Sequence, residues 1–521
     1  MNQLKYTEVG IVKSIRGCIV IVEGFHNCVN GQLVYIGMGT MGNIIGFNEQ
    51  EAYVLILKQL EDVKTGDEVR ASLEPFRVPV GKNFIGRIVN SLCEPIDSLG
   101  AIEPDDYFPI FPTAPAILER QPLHLTLETG IKVLDQMIPI GLGQRQLILG
   151  NKMVGKTTIL TDTMLNQKNT GVFCIYCAIG KARSQLAKVV QLLQDHDAFK
   201  YSIVVAAPSS SPPGQQYLAP YVACSLGEYF MKKGLKVFVG FDDFTKHAWC
   251  YREISLLLGR APGRDSYPGD IFYLHSKMIE RACHYDKNHG EGAMTFLPIV
   301  EILEGDLTAF VPSNLVSMTD GQIFLDAALF GEGQRPSLDL GLSVSRVGTK
   351  VQWHIVKQLS GPLRLEYLQF RELKRISRLR SGQQSEQVVQ QLRSGEILTL
   401  LLVQDKDSPV PMEGQVLILY GFHKKYLHKL NDEEITKFQL EILNYANEKN
   451  PQLIKSLRER KKMDQEIERG LNEVLSAYTD ETLARRQPEK GEGAEDIISN
   501  IDKDVLDEAT KKKTTAVAAK K

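Results

Sequence analysis

The segment Gly150-Asn151-Lys152-Met153-Val154-Gly155-Lys156-Thr157-Thr158 has the spacing G-x-x-x-x-G-K-T. Each residue type in it has a task when the ligand is a phosphate chain. Gly150 and Gly155 let the backbone wrap close to a phosphate with its N–H groups pointing inward. Lys156 reaches the terminal phosphates, and Thr157 offers its hydroxyl to Mg²⁺. A helix beginning near Lys156 adds the positive end of its dipole to the same site. A second acidic signal lies where Val237-Phe238-Val239-Gly240-Phe241 runs into Asp242-Asp243. A carboxylate at the end of a buried strand suits a Mg²⁺-water shell, which pairs Asp242 with Thr157 across the site. Helix capping is the competing reading of the pair, and it is stronger for Asp243. Together these residues predict a site for ATP or ADP with Mg²⁺.

The elements that must position them follow from patterning. Gln146 to Leu149 reads as the strand that feeds the loop, and further strands are expected at 172–179, 202–207, 236–241 and 294–302. Helices are expected at 157–167, 182–194, 215–232, 246–259 and 271–284. Such alternation predicts a mostly parallel sheet covered on both faces, with ligands at the carboxyl ends of its strands. Before it, short strands at 10–15, 18–22, 32–36, 42–47, 52–57 and 68–71, punctuated by Arg16-Gly17, Asn30-Gly31 and Thr65-Gly66-Asp67, suggest a small closed barrel.

After about residue 353 the pattern turns helical. Leu365, Leu368, Leu373 and Ile376 form one apolar stripe and Val388, Val389 and Leu392 another, and helical patterns run from Asp432 to Ala446 and from Lys461 to Ala477. The expected architecture is therefore multidomain: a β-barrel over 1–78, a P-loop α/β nucleotide-binding domain over 79–352, an α-helical bundle over 353–478, and a charged, disordered tail over 479–521.

A chain of 521 residues exceeds one hydrophobic core. Its formal net charge of -2 gives no general attraction to nucleic acid or to an anionic membrane surface. An initial stretch without the apolar core of a signal peptide, and no apolar run of transmembrane length, predict a soluble, cytoplasmic chain. The eight cysteines form no disulfide framework. Cys174 and Cys177 sit three apart in what reads as a buried strand, so their sulfurs point to opposite faces and read as core packing rather than a metal or redox pair.

Longer stretches carry a resemblance. Glu128 to Asp135 with Pro139 to Arg145, Phe241 to Ala248 with Tyr251-Arg252-Glu253, Gly259 to Arg264 with Tyr267 to Ser276, Val316 to Phe324 and Gly341 to Gly348 occur in order. With the barrel, nucleotide domain and bundle, they resemble the alpha subunits of F-type ATP synthases over residues 8 to about 478. The resemblance implies an alternating three-plus-three ring with catalytic beta-type chains, around a gamma-type central shaft at the cytoplasmic face of a membrane. It also implies that Arg346 is an arginine finger supplied to the neighbour's nucleotide, that Ser343 supports activity from the same motif, and that Arg335, Pro336 and Gln404 flank the adenine.

The departures from that family are equally specific. Lys181, in Ala178-Ile179-Gly180-Lys181-Ala182-Arg183, stands where catalytic relatives carry a water-polarising Glu and alpha subunits usually a Gln. A protonated lysine is no general base, although it can pair with phosphate. The expectation is thus a subunit that binds ATP-Mg without appreciable hydrolysis at its own site. Lys406 replaces a second usual Gln, and Asn151-Lys152-Met153-Val154 replaces a usual Asp-Arg-Gln-Thr.

The chain lacks the N-terminal helical extension that usually holds the peripheral stalk, which puts that partner in doubt, and its charged tail exceeds the family's usual end and offers a possible further docking segment. Such features fit a divergent paralogue driving another process, such as mollicute gliding motility. Two competing classes are a self-sufficient export-type hexameric ATPase, opposed by Lys181, and a Rho-like nucleic-acid translocase, opposed by the charge balance.

Overall fold

The computed structural model describes residues 6–37, 39–58, 62–379 and 386–485. The strands Tyr6–Arg16, Ile19–Glu23, Gln32–Ile36, Thr40–Phe47, Glu51–Ile56 and Glu68–Pro75 close into a six-stranded barrel, the first pairing with both the second and the last. Val20, Val22, Val34, Ile44, Val54 and Val69 fill its interior. They alternate along their strands with residues that face outward, as the two-residue strand period requires.

The central domain is built on a nine-stranded sheet. Its main path runs Val344–Ser345, Gly321–Leu325, Leu147–Gly150, Ala293–Glu301, Lys236–Asp242, Val172–Ile179, Ser202–Ala207 and Ile88–Val89. From Gly321–Leu325 onward every neighbouring pair is parallel, whereas Val344–Ser345 runs antiparallel along the edge. The strands are apolar on both faces because helices cover both, which is the pattern a buried parallel sheet demands. Cys174, Tyr176 and Ala178 pack into one core, and Ile175, Cys177 and Ile179 into the other. The two sulfurs therefore lie on opposite faces of the sheet, as the sequence predicts.

The covering helices are Lys156–Leu165, Arg183–Asp195, Pro213–Lys232, Phe244–Leu257 and Ile271–Ile279. The last is shorter than the expected 271–284. It ends at Ile279, Arg281 turns inward to pair with Glu228 at 2.6 Å, and Cys283–His284 pairs as a short strand with Met294 and Ala293. The strands Gly321–Leu325 and Val344–Ser345 have no counterpart among the expected elements.

Helices His354–Ser360, Leu363–Leu379, Glu386–Leu402, Met412–His423, Asp432–Lys449, Pro451–Arg460 and Gln465–Arg485 make up the C-terminal region. Two expectations are corrected here. On Leu363–Leu379 the buried face is Leu363, Tyr367 and Phe370, while Leu365 of the expected stripe is 62% exposed. The aromatic rings win the interior because Phe370 lies directly on Gly395 of helix Glu386–Leu402, where no side chain intervenes. Likewise Val389 is exposed, and Ile397, Leu398 and Leu401 are buried instead.

Lys461 does not start a helix. It adopts a left-handed conformation that ends Pro451–Arg460, and the next helix begins at Gln465. That helix continues through the expected tail boundary at 479, with Thr479 buried, as far as Arg485. The remainder of the expected tail lies outside the described residues. Among the described residues no helix is long and apolar enough to cross a membrane.

Candidate functional site

The strand Leu147–Gly150 ends at the loop and the helix starts at Lys156. Gly155, the residue before the helix, has φ 97° and ψ 16°, a left-handed conformation that favours glycine. Gly150 serves differently: its φ is not positive, and a Cβ there would meet the Leu325 carbonyl and the Val154 side chain, each at 2.9 Å. Its smallness lets the strand end pack rather than bend. Lys156 is buried and donates to the Gly150 carbonyl at 2.9 Å and to the Asn151 carbonyl at 2.5 Å. Burial holds its ammonium below the ordinary lysine range, partly offset by the Glu301 and Asp243 charges. Thr157 and Thr158 are half-buried on the first turn, Val154 is buried, and Lys152 and Met153 are exposed, Met153 at 86%.

Asp242, at the end of its strand and fully buried, is the hub of the site. One carboxylate oxygen accepts from the Thr157 hydroxyl at 2.7 Å and from the Tyr176 phenol at 2.8 Å. The other lies 2.6 Å from the Lys181 ammonium, which is also 3.9 Å from Asp243. Register explains the meeting, since Ala178 pairs with Asp242 and Lys181 follows just beyond the end of that strand. Burial pulls Lys181 down, but Asp242 and Asp243 more than offset this and hold it above the ordinary lysine range. Asp243 takes the capping role: its side chain accepts from the Lys246 N–H at 2.8 Å at the start of Phe244–Leu257. Burial, with the Asp242 charge, pushes Asp243 up to about 6.

The expected adenine-side residues do meet. Gln404 N–H donates to the Arg335 carbonyl at 2.8 Å, and Ser337, just after Pro336, donates to the Val154 carbonyl of the phosphate loop at 3.2 Å. The Gln404 side chain itself is spent on backbone, accepting from Lys132 N–H at 3.0 Å and donating to the Gly130 and Ser408 carbonyls at 2.8 Å. It therefore tethers the segment, and its amide is not free for a base. Arg335 packs over the Phe330 ring, 5.1 Å from its centroid.

Arg346 lies elsewhere. It follows Ser345, which pairs with Gly321, whereas Gly150 pairs with Leu325 on that same strand. The two are thus at opposite ends of the sheet, about 13 Å apart along the strand alone. Its backbone is anchored by the Asp320 carbonyl at 2.7 Å, and Asp320 is clamped in turn by Arg145 at 2.7 Å. The Arg346 side chain is exposed and has no partner among the described residues. Ser343 is fully buried and its hydroxyl accepts from Phe324 N–H at 2.9 Å, so it braces the edge strand and touches nothing outside the chain.

Residues 130–345 match the ATP synthase alpha/beta family, nucleotide-binding domain, and residues 352–478 match the ATP synthase alpha/beta chain, C terminal domain. The chain is 40% identical over 476 residues to the ATP synthase subunit alpha of Aquifex aeolicus, covering 91% of this chain and 94% of that one. It is 42% identical over 475 residues to that of Petrotoga mobilis, covering 90% and 94%. The chain belongs to the family of F-type ATP synthase alpha subunits.

Three residues of this alpha-family site escape a reading of the sequence. Tyr176 sits inside an apolar run and looks like packing; only the register of its strand against Lys236–Asp242 reveals its hydroxyl on Asp242. Glu301 is brought beside the loop because it pairs with Gly150 across parallel strands. Ser337 is hidden in a stretch without periodicity. Thr157 and Asp242 are hard oxygen donors, the type Mg²⁺ takes. Among the described residues no cluster of three acidic, His or Cys side chains could hold a metal. A cation in this family's site would draw most of its ligands from phosphate and water.

Proposed function

We propose that this chain holds ATP or ADP at the Gly150–Thr158 loop without hydrolysing it, and completes the active site of a neighbouring beta-type subunit in an alternating ring turned about a gamma-type shaft. The observation that carries this is the placement of Arg346. An exposed guanidinium without a partner among the described residues, on a backbone tied to Asp320 at the sheet end remote from its own phosphate loop, supports a reach to another chain's phosphates. There its planar fork stabilises charge developing on the transferring phosphoryl group.

The geometry supports the remaining roles in this reading. The loop N–H groups and Lys156 bind phosphate. Thr157 and Asp242 would hold Mg²⁺, which would supply positive charge to offset that of the phosphates. The Arg335–Pro336 segment, tied to the loop through Ser337 and Gln404, closes the base side. Lys181, kept protonated by Asp242, takes no proton from water, so the site lacks at that position the base a hydrolytic site needs.

The test is ATP turnover by the chain assembled with its beta-type partner. Arg346→Ala should lower kcat by about 10³-fold or more, the scale of an arginine finger, while Lys156→Ala keeps turnover within about tenfold. Greater damage from Lys156→Ala, with turnover by the isolated chain, would make this a catalytic subunit in its own right.

A further inference from the structure

The contacts around Lys181 go further than the loss of a base. Its ammonium lies 2.6 Å from Asp242 and 3.9 Å from Asp243. The other oxygen of Asp242 is already engaged by Thr157 at 2.7 Å and Tyr176 at 2.8 Å. The carboxylate that would turn toward a metal's water shell is thus occupied on both sides, and its charge is balanced from within the chain. Lys181 and Lys156 also lie close enough to feel each other's charge. An ammonium brought to a phosphate site neutralises charge there as a divalent cation does, without needing to be recruited from solution.

We propose that Lys181 is a built-in cation for this site, so that the nucleotide is held with little dependence on Mg²⁺. This rests on the reading that the loop holds a nucleotide, and deepens it. It assigns Lys181 to binding: held 2.6 Å from Asp242, its ammonium cancels the carboxylate's charge beside the loop, so the phosphates meet a balanced pair rather than a bare anion. A neutral side chain at this position would leave Asp242 unbalanced and would restore the need for the metal, because a buried carboxylate without a counter-charge repels the phosphates.

The experiment is calorimetric titration of ATP into the purified full-length chain in excess Mg²⁺ and in excess EDTA, with Lys181→Gln, Lys181→Arg and Lys156→Ala alongside. Chelation should weaken binding by less than about tenfold in the native chain and in Lys181→Arg, and by at least about tenfold more in Lys181→Gln. A native loss above about 100-fold on chelation overturns the proposal whether or not any variant folds. So does an equal dependence on Mg²⁺ in the native chain and Lys181→Gln; in both cases the loop remains a nucleotide site. A native chain that binds ATP in neither buffer, or a folded Lys156→Ala that binds it as well as the native chain, would instead sink the nucleotide reading itself.

Discussion

At the scale of single residues, the site depends on a few atoms that have no spare partners. Gly155 is one such position. No atom lies within 4 Å of where its Cβ would be, so Gly155→Ala meets no clash and pays only for the left-handed φ of 97°. It should cost about 1–2 kcal/mol, read as a lower urea midpoint at unchanged slope. The residues legible in the sequence are those whose chemistry dictates type and spacing together: Lys156, Thr157 and the loop glycines fall where phosphate geometry needs them. Asp242 and Asp243 are adjacent in sequence, where helix capping reads as the stronger role for Asp243. The fold divides them, since one ends a strand beside Thr157 and the other begins a helix. Tyr176 and Ser337 act through contacts between distant segments, which spacing does not encode.

Among elements, helices Phe244–Leu257 and Ile271–Ile279 meet through two buried histidines. His247 Nε2 faces the Tyr217 carbonyl at 3.1 Å and so carries the proton, leaving Nδ1 to accept from His275 Nε2, also at 3.1 Å. Burial lowers His247 from 6.5 to about 4 and holds His275 well below 6.5. As pH falls from about 6.5 toward about 4, the unfolded chain takes up protons that the native rings refuse, so stability is lost on that descent and fully present above it. The pair contributes a slope of up to about 2.7 kcal/mol per pH unit, and His275→Phe should roughly halve it, measured by urea unfolding across that pH range.

Whether an element was readable follows its environment. The barrel strands and the five sheet strands from Leu147–Gly150 to Ser202–Ala207 announced themselves because one or both faces are uniformly buried, whereas Gly321–Leu325 went unread. Helix Leu363–Leu379 is readable as a helix but not in its buried face, since it carries apolar residues on both faces and only the position of Gly395 on its neighbour decides that Phe370 goes in and Leu365 stays out. The edge strand Val344–Ser345 is two residues long, too short to show any period.

For the whole molecule, the segment Thr129–Gln136 clasps the nucleotide domain to the helical region. Buried Asp135 accepts from Thr129 and Gly130 N–H groups and from Gln415 at 2.7 Å, while Gln352 donates to the Asp135 and Gln136 carbonyls at 2.7 and 2.9 Å. Gln415→Leu takes one donor from a buried carboxylate and should cost about 1–3 kcal/mol. Hydrogen exchange should then quicken in Met412–His423 more than in the barrel.

The reversed edge strand, finally, has a meaning in symmetry. It sets Arg346 at one end of the sheet and the phosphate loop at the other. Two copies facing each other about a two-fold axis must bury the same patch on both, and no single patch here contains both ends. On the proposed reading, giving and receiving ends meet head to tail through the beta-type neighbour, and contacts that recur by rotation either close on themselves or run on as a filament. On that reading the head-to-tail sense rests on the direction of two residues, Val344 and Ser345.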